Sequence, residues 1–98
     1  MPKAYWIIHV EVTDAAAYPQ YIAKVGDAFA SYKYRPTFLV RGGKSDHPEG
    51  ATKPRHVIVE FESYDDAVEC YYGEPYQAAA KLRQQFGITD FVIVEGSD

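Results

Sequence analysis

Ninety-eight residues, 47% of them hydrophobic, suffice for one domain with one core, read here as a single unit over residues 1–98. The net charge of −4 argues against a nucleic-acid backbone as partner, because phosphate binders are normally basic. The lone Cys70 cannot close an internal disulfide, no apolar run is long enough to span a bilayer, and His9 and Glu11 break the only apolar stretch near the N-terminus that could act as a signal peptide. These features predict a soluble, cytoplasmic domain.

The first predicted element is a strand from Tyr5 to Val12. Trp6, Ile8, Val10 and Val12 make one wholly apolar face, and Tyr5, Ile7, His9 and Glu11 make a mixed one. Thr13 or Asp14 can cap the following helix, whose apolar stripe is Tyr18, Ile22, Val25, Phe29 and Tyr32 with Tyr21 beside it, opposite Gln20, Lys24, Asp27 and Ser31. Pro19 has no amide to donate, so the first turn is either distorted or delayed to about Tyr18.

Pro36 breaks the chain, and Thr37 to Arg41 reads as the second strand. Three glycines and two prolines make residues 42–54 a loop or an extended hairpin tip. Arg55 to Phe61 is the third strand. Ser63 with Asp66 forms an imperfect capping box for a helix from Tyr64 to Tyr72 that stops near Gly73. Pro75 suits the first turn of another helix, which runs to Phe86 and ends at Gly87. Asp90 to Glu95 is the last strand.

The order β-α-β-β-α-α-β, with short connections and right-handed crossovers, predicts an α+β fold: a ferredoxin-like antiparallel sheet of strand order 4-1-3-2 with the helices on one face. The first and third strands then lie side by side. Tyr5, Ile7 and His9 point away from the helices, joined by His56, Ile58 and Glu60, and by Ile93 with either Phe91 or Glu95 from the fourth strand. An open row of isoleucines asks for a cover, and a second copy packed about a twofold axis is the simplest one. A homodimer is therefore expected.

Five groups of residues carry candidate chemistry. Arg83 falls on the inward stripe of the last helix with Tyr76, Ala79 and Ala80. It is either an internal ion pair, with Glu60, Glu95 or a helix end, or an anchor for a ligand carboxylate. Arg41 precedes Gly42-Gly43, which either turns the hairpin while Arg41 pairs with Glu49 or lets a ligand approach the arginine and nearby amides. His9 and His56 are the acid–base candidates; a hydrogen-bonded pair is favoured over a metal site, since no close ligand spacing supports one, and His47 is read as solvated. Tyr71 and Tyr76 flank the break between the last two helices and either pack the core or orient a ligand. Cys70 has no neighbours that would activate a thiolate and is read as packing.

The motifs Tyr5-Trp6-Ile7, Arg41-Gly42-Gly43, Glu49-Gly50, Pro54-Arg55, Phe61, Gly73-Glu74-Pro75-Tyr76-Gln77, Arg83 and Val94-Glu95-Gly96 occur in an order that resembles the domain of unknown function 1330 family, within the dimeric α/β-barrel superfamily. The chain departs from that pattern at Pro19, at Tyr34-Arg35-Pro36-Thr37, at Thr52 and at His56. The resemblance implies a ferredoxin-like protomer and a dimer whose sheets face each other; it implies no agreed reaction, although structural relatives include cofactor-independent monooxygenases and lactone isomerases. Joined to the residues, it gives the expectation of a homodimer with one pocket per protomer for a small anionic organic acid or metabolite. Arg41, Arg83 and Tyr76 would bind substrate, and His9, His56 and Tyr71 would serve any catalysis. That chemistry would be isomerase- or monooxygenase-like without cofactor or metal. The alternative is a non-catalytic ligand-binding or structural dimer module.

Overall fold

The computed structural model describes residues 2–31 and 36–97. Tyr32, assigned above to the first helix's stripe, and Tyr34 and Arg35 lie outside the described residues. Seven elements follow in the expected order: β1 (Ala4–Val12), α1 (Tyr18–Ser31), β2 (Thr37–Arg41), β3 (Arg55–Phe61), α2 (Tyr64–Tyr72), α3 (Glu74–Phe86) and β4 (Gly87–Glu95). The sheet runs β2-β3-β1-β4 and is antiparallel throughout, which is the predicted 4-1-3-2 order read from the other edge. This is the ferredoxin-like α+β architecture. Among the described residues, no helix is long and apolar enough to cross a membrane.

Local chemistry explains the boundaries. The Asp14 carboxylate accepts from the Ala17 amide and the Asp14 carbonyl from the Tyr18 amide, so one turn forms before α1 begins at Tyr18. Pro19 therefore occupies the second helical position, where an absent N–H costs nothing. Ser63 caps α2 by accepting from the Asp66 amide at 3.1 Å. Strand β4 starts three residues earlier than expected: Gly87 ends α3 in an extended conformation and pairs at once with Val12, leaving no loop between helix and strand.

Alternation along the strands sorts residues between two faces. Ala4, Trp6, Ile8 and Val10 are buried on the helix side with Val57, Val59 and Phe61. Trp6 is the hub: its indole N–H donates to the Ala67 carbonyl at 3.0 Å, and its ring touches those of Phe29, Phe61, Tyr71, Tyr76 and Phe91. The β4 register moves two expected residues. Phe91 and Ile93 pack on the helix-side core, because Ile7 pairs with Val92 and His9 with Asp90. The open face of β4 is thus Ile88, Asp90, Val92 and Val94. A one-residue register difference exchanges the faces of a whole strand.

Candidate functional site

The helix-side face contains a cavity of about 190 Å³ between α1 and strands β1, β2 and β3, roughly the volume of six liquid waters. Its walls are apolar and aromatic, including Trp6, Ile8, Val25, Phe29, Phe38 and Val59. Ile22 is half exposed at its rim rather than buried in the stripe, because α1 stands off the sheet there. The polar lining comes from Tyr18, Tyr21, Arg41 and Arg55. A mostly apolar hollow with a few convergent polar groups is the usual form of a small-molecule site, and this one is smaller than a drug-sized pocket.

Arg55 was legible in the sequence as the residue that opens β3 and as part of the Pro54-Arg55 motif, not as a cavity residue. Its guanidinium lies over the Tyr18 ring at 5.7 Å, and its Nε is buried without a hydrogen-bond partner. The Arg41-Gly42-Gly43 motif makes this placement possible. Gly42 has φ of 69°, and a side chain there would occupy the space taken by the Arg55 guanidinium. The Gly42 amide donates to the His56 carbonyl at 2.8 Å, fixing the loop against β3. Arg41 itself stacks on the Phe38 ring at 4.2 Å; among the described residues no ion pair joins it to Glu49.

A second cluster lies deeper between α1 and α3. Arg83 is buried, with only 5% of its surface exposed. It donates to the Tyr76 hydroxyl at 2.8 Å, faces the Phe91 ring at 5.4 Å, and leaves its Nε unpartnered. Neither Glu60 nor Glu95 nor any other described carboxylate forms an ion pair with it. Phenols take that place: the Tyr76 hydroxyl is 2.8 Å from that of Tyr21. Burial works against the Arg83 charge, but the facing oxygens of Tyr76 and Tyr21 outweigh it and raise its pKa. Burial also lifts the pKa of Tyr76 far above the ordinary phenol range and raises those of Tyr21 and Tyr18, against the pull of Arg83 and Arg55. At neutral pH these phenols are donors, not bases.

The expected acid–base residues stand elsewhere. His9 and His56 are register partners on the open face, with their Nδ1 atoms 2.7 Å apart. His47, expected in solvent, reaches His56 instead, Nε2 to Nε2 at 2.7 Å, and its Nε2 also lies 3.2 Å from the Ser45 hydroxyl. The three imidazoles form a chain, and no group of His, Cys, Asp or Glu among the described residues has the arrangement of a metal site. Partial burial and the neighbouring His9 and His47 rings lower the pKa of His56.

The six expected site residues therefore fall into separate places. Tyr76 and Arg83 come together, Arg41 joins Arg55 at the cavity, and His9 meets His56 across the sheet. Tyr71 contacts Tyr76, Trp6 and Phe91, and lines a second, shallower cleft with Tyr64, Tyr72 and Ile93. Sequence reasoning missed Tyr18, Tyr21 and Arg55 as cavity residues; the signal that could have found the two tyrosines was their spacing of three on the inward stripe of α1. Cys70 is buried, and burial pushes its thiol up to about 12, in keeping with packing.

The comparisons agree with this architecture. Residues 3–97 match the family described as a domain of unknown function (DUF1330), and the chain belongs to that family. No curated protein is similar enough to match. A protein of unknown function from Rhodopseudomonas palustris has a similar structure, with a TM-score of 0.73 and 17% identity over 99% of this chain and 84% of that one. SnoaB, a cofactor-independent oxygenase from Streptomyces nogalater, aligns with a TM-score of 0.66 and 11% identity over 100% of this chain and 96% of its own. A dimeric ferredoxin-like protein of unknown function from Thermobifida fusca aligns with a TM-score of 0.63 and 14% identity, covering 96% and 89%. At these identities the likeness concerns the fold.

Proposed function

We propose that this protein is a cytoplasmic homodimer that binds a compact organic acid in the cavity between α1 and the sheet. The observation that carries the reading is Arg55: a cation at a largely apolar hollow, with a buried Nε lacking a partner, in space that the positive-φ Gly42 leaves open. A partly buried cation with no ion-paired carboxylate among the described residues favours an anionic ligand, and a guanidinium fork suits a carboxylate. Arg41 at the rim adds positive charge. The apolar walls select a flat or branched hydrocarbon body over a sugar or nucleotide, and the acidic chain is a poor partner for nucleic acid.

The dimer reading rests on the open face. Val40, Ile58, Ile7 and Val92 form one transverse row across all four strands, and Ile88 and Val94 extend it. The dimeric ferredoxin-like neighbour supports a second copy as the cover. The SnoaB likeness supports cofactor-free oxygenase-like chemistry as the enzymatic reading of the cavity, with a non-catalytic binding module as its rival.

The test is calorimetric titration with 2-naphthoate and with neutral 2-naphthamide. Wild type is expected to prefer the carboxylate, and Arg55→Met, which keeps the stem's packing, to lose that preference by about tenfold or more. Equal binding of acid and amide to wild type, or an unchanged preference in the variant, would sink the assignment.

A further inference from the structure

The phenol–guanidinium cluster has a direction. Arg83 can only donate, and it donates to the Tyr76 oxygen. Tyr76 then has one proton to place, and the Tyr21 oxygen at 2.8 Å is its hydrogen-bonded neighbour. Were Tyr21 the donor instead, the Tyr76 oxygen would accept twice and its own proton would sit in a side chain only 1% exposed with no acceptor among its hydrogen bonds. Burying such a proton unpaired is costly, so the order Arg83 to Tyr76 to Tyr21 is favoured. Among the described residues the Tyr21 O–H then has no acceptor, so Tyr21 ends the chain with that proton uncommitted. Of the three residues, Tyr21 is the one that also lines the cavity.

We infer that Tyr21 is a ligand-binding residue that donates to a second oxygen on the cavity's occupant, and that Tyr76 and Arg83 are positioning residues that polarise it. This rests on the cavity reading above and deepens it. The occupant becomes an organic acid carrying a hydroxyl or carbonyl oxygen at its far end, with its carboxylate at Arg55 and that oxygen at Tyr21. A donor backed by a buried cation strengthens as the accepting oxygen gains negative charge, so the cluster favours a phenolate or enolate form of that oxygen over the neutral one. High phenol pKa values keep every proton in the chain in place at neutral pH.

The probe is 6-hydroxy-2-naphthoate, whose hydroxyl ionisation is read by absorbance, beside 2-naphthoate, which lacks the oxygen. Bound to wild type, the hydroxyl is expected to ionise about one pH unit or more below its value in solution. Tyr21→Phe should abolish that difference, read on complexes saturated with the probe so that a change in affinity does not enter. Tyr76→Phe, which keeps the ring in the Trp6 cluster but removes the linking oxygen, should reduce the difference part-way. An ionisation unchanged by Tyr21→Phe overturns the role of Tyr21, and one unchanged by Tyr76→Phe overturns the chain behind it, in each case with 2-naphthoate still bound. Failure of 2-naphthoate to bind wild type overturns the cavity reading itself and this inference with it.

Discussion

The two faces of one sheet have been given opposite chemistries. On the helix side, β1 and β3 present Trp6, Ile8, Val57 and Val59 to a mostly apolar interior in which guanidinium groups are met by phenols and aromatic faces. On the open side, the residues between them present imidazoles linked to one another and a transverse aliphatic row. The lesson is geometric: a strand's period of two sends neighbouring residues to opposite sides. His9 and His56 therefore stand a sheet's thickness away from the cavity that Arg41 and Arg55 line, and the six residues named from sequence do not share one pocket within a protomer. Hydrogen-bond donation in the cavity falls to its phenols and guanidinium groups, and the imidazole chain belongs to the face proposed to meet a second copy.

The largest loss is expected at the aromatic hub of the helix side. Trp6→Ala removes the ring that contacts five other aromatics and the bond to the Ala67 carbonyl, and is expected to cost about 3–5 kcal/mol in urea unfolding. A loss below about 1 kcal/mol would show that the helix-side core is not organised around it.

A change confined to the open face should separate the two sides. Ile7→Asp places a charge in the middle of the aliphatic row, opposite Ile58 and Val92. Sedimentation analysis should show at least a hundredfold weaker dimer, with 2-naphthoate affinity kept within a few-fold. A dimer of undiminished strength would remove the sheet face as the interface.

The smallest expected effect is acid sensitivity on the imidazole side. His56 has a lowered pKa, so near its ordinary value of 6.5 the unfolded chain binds more protons than the folded one. Stability should therefore be fully present above that value and decline as pH falls through it toward the lowered one. The other imidazole and charged groups on the face of His56 and His9 are His47, Glu11, Glu60 and Asp90, the last paired with Lys53 at 2.6 Å. Melting temperatures from pH 8 to 5.5 should fall modestly, and His56→Gln should flatten the slope. A slope unaltered by that substitution would place the titrating group elsewhere.

Sequence alone determined the element order, the strand order and the inward stripe of α3, because hydrophobic periodicity and capping chemistry are local and were read residue by residue. Pro19 allowed two starts for α1, and the Asp14 turn chose the later one. The register of β4 was not legible: Phe91, Val92, Ile93 and Val94 form an apolar run without alternation, so only pairing with β1 decided that Phe91 and Ile93 face the helices. Tertiary structure also decided the partners of the charged groups. Arg83 meets Tyr76 and not a glutamate, Arg55 meets Gly42 and Tyr18, and His47 folds back onto His56, each across 7 to 37 positions of chain. Periodicity says which way a side chain points; what it meets there depends on how distant segments pack, and on that the candidate site depends.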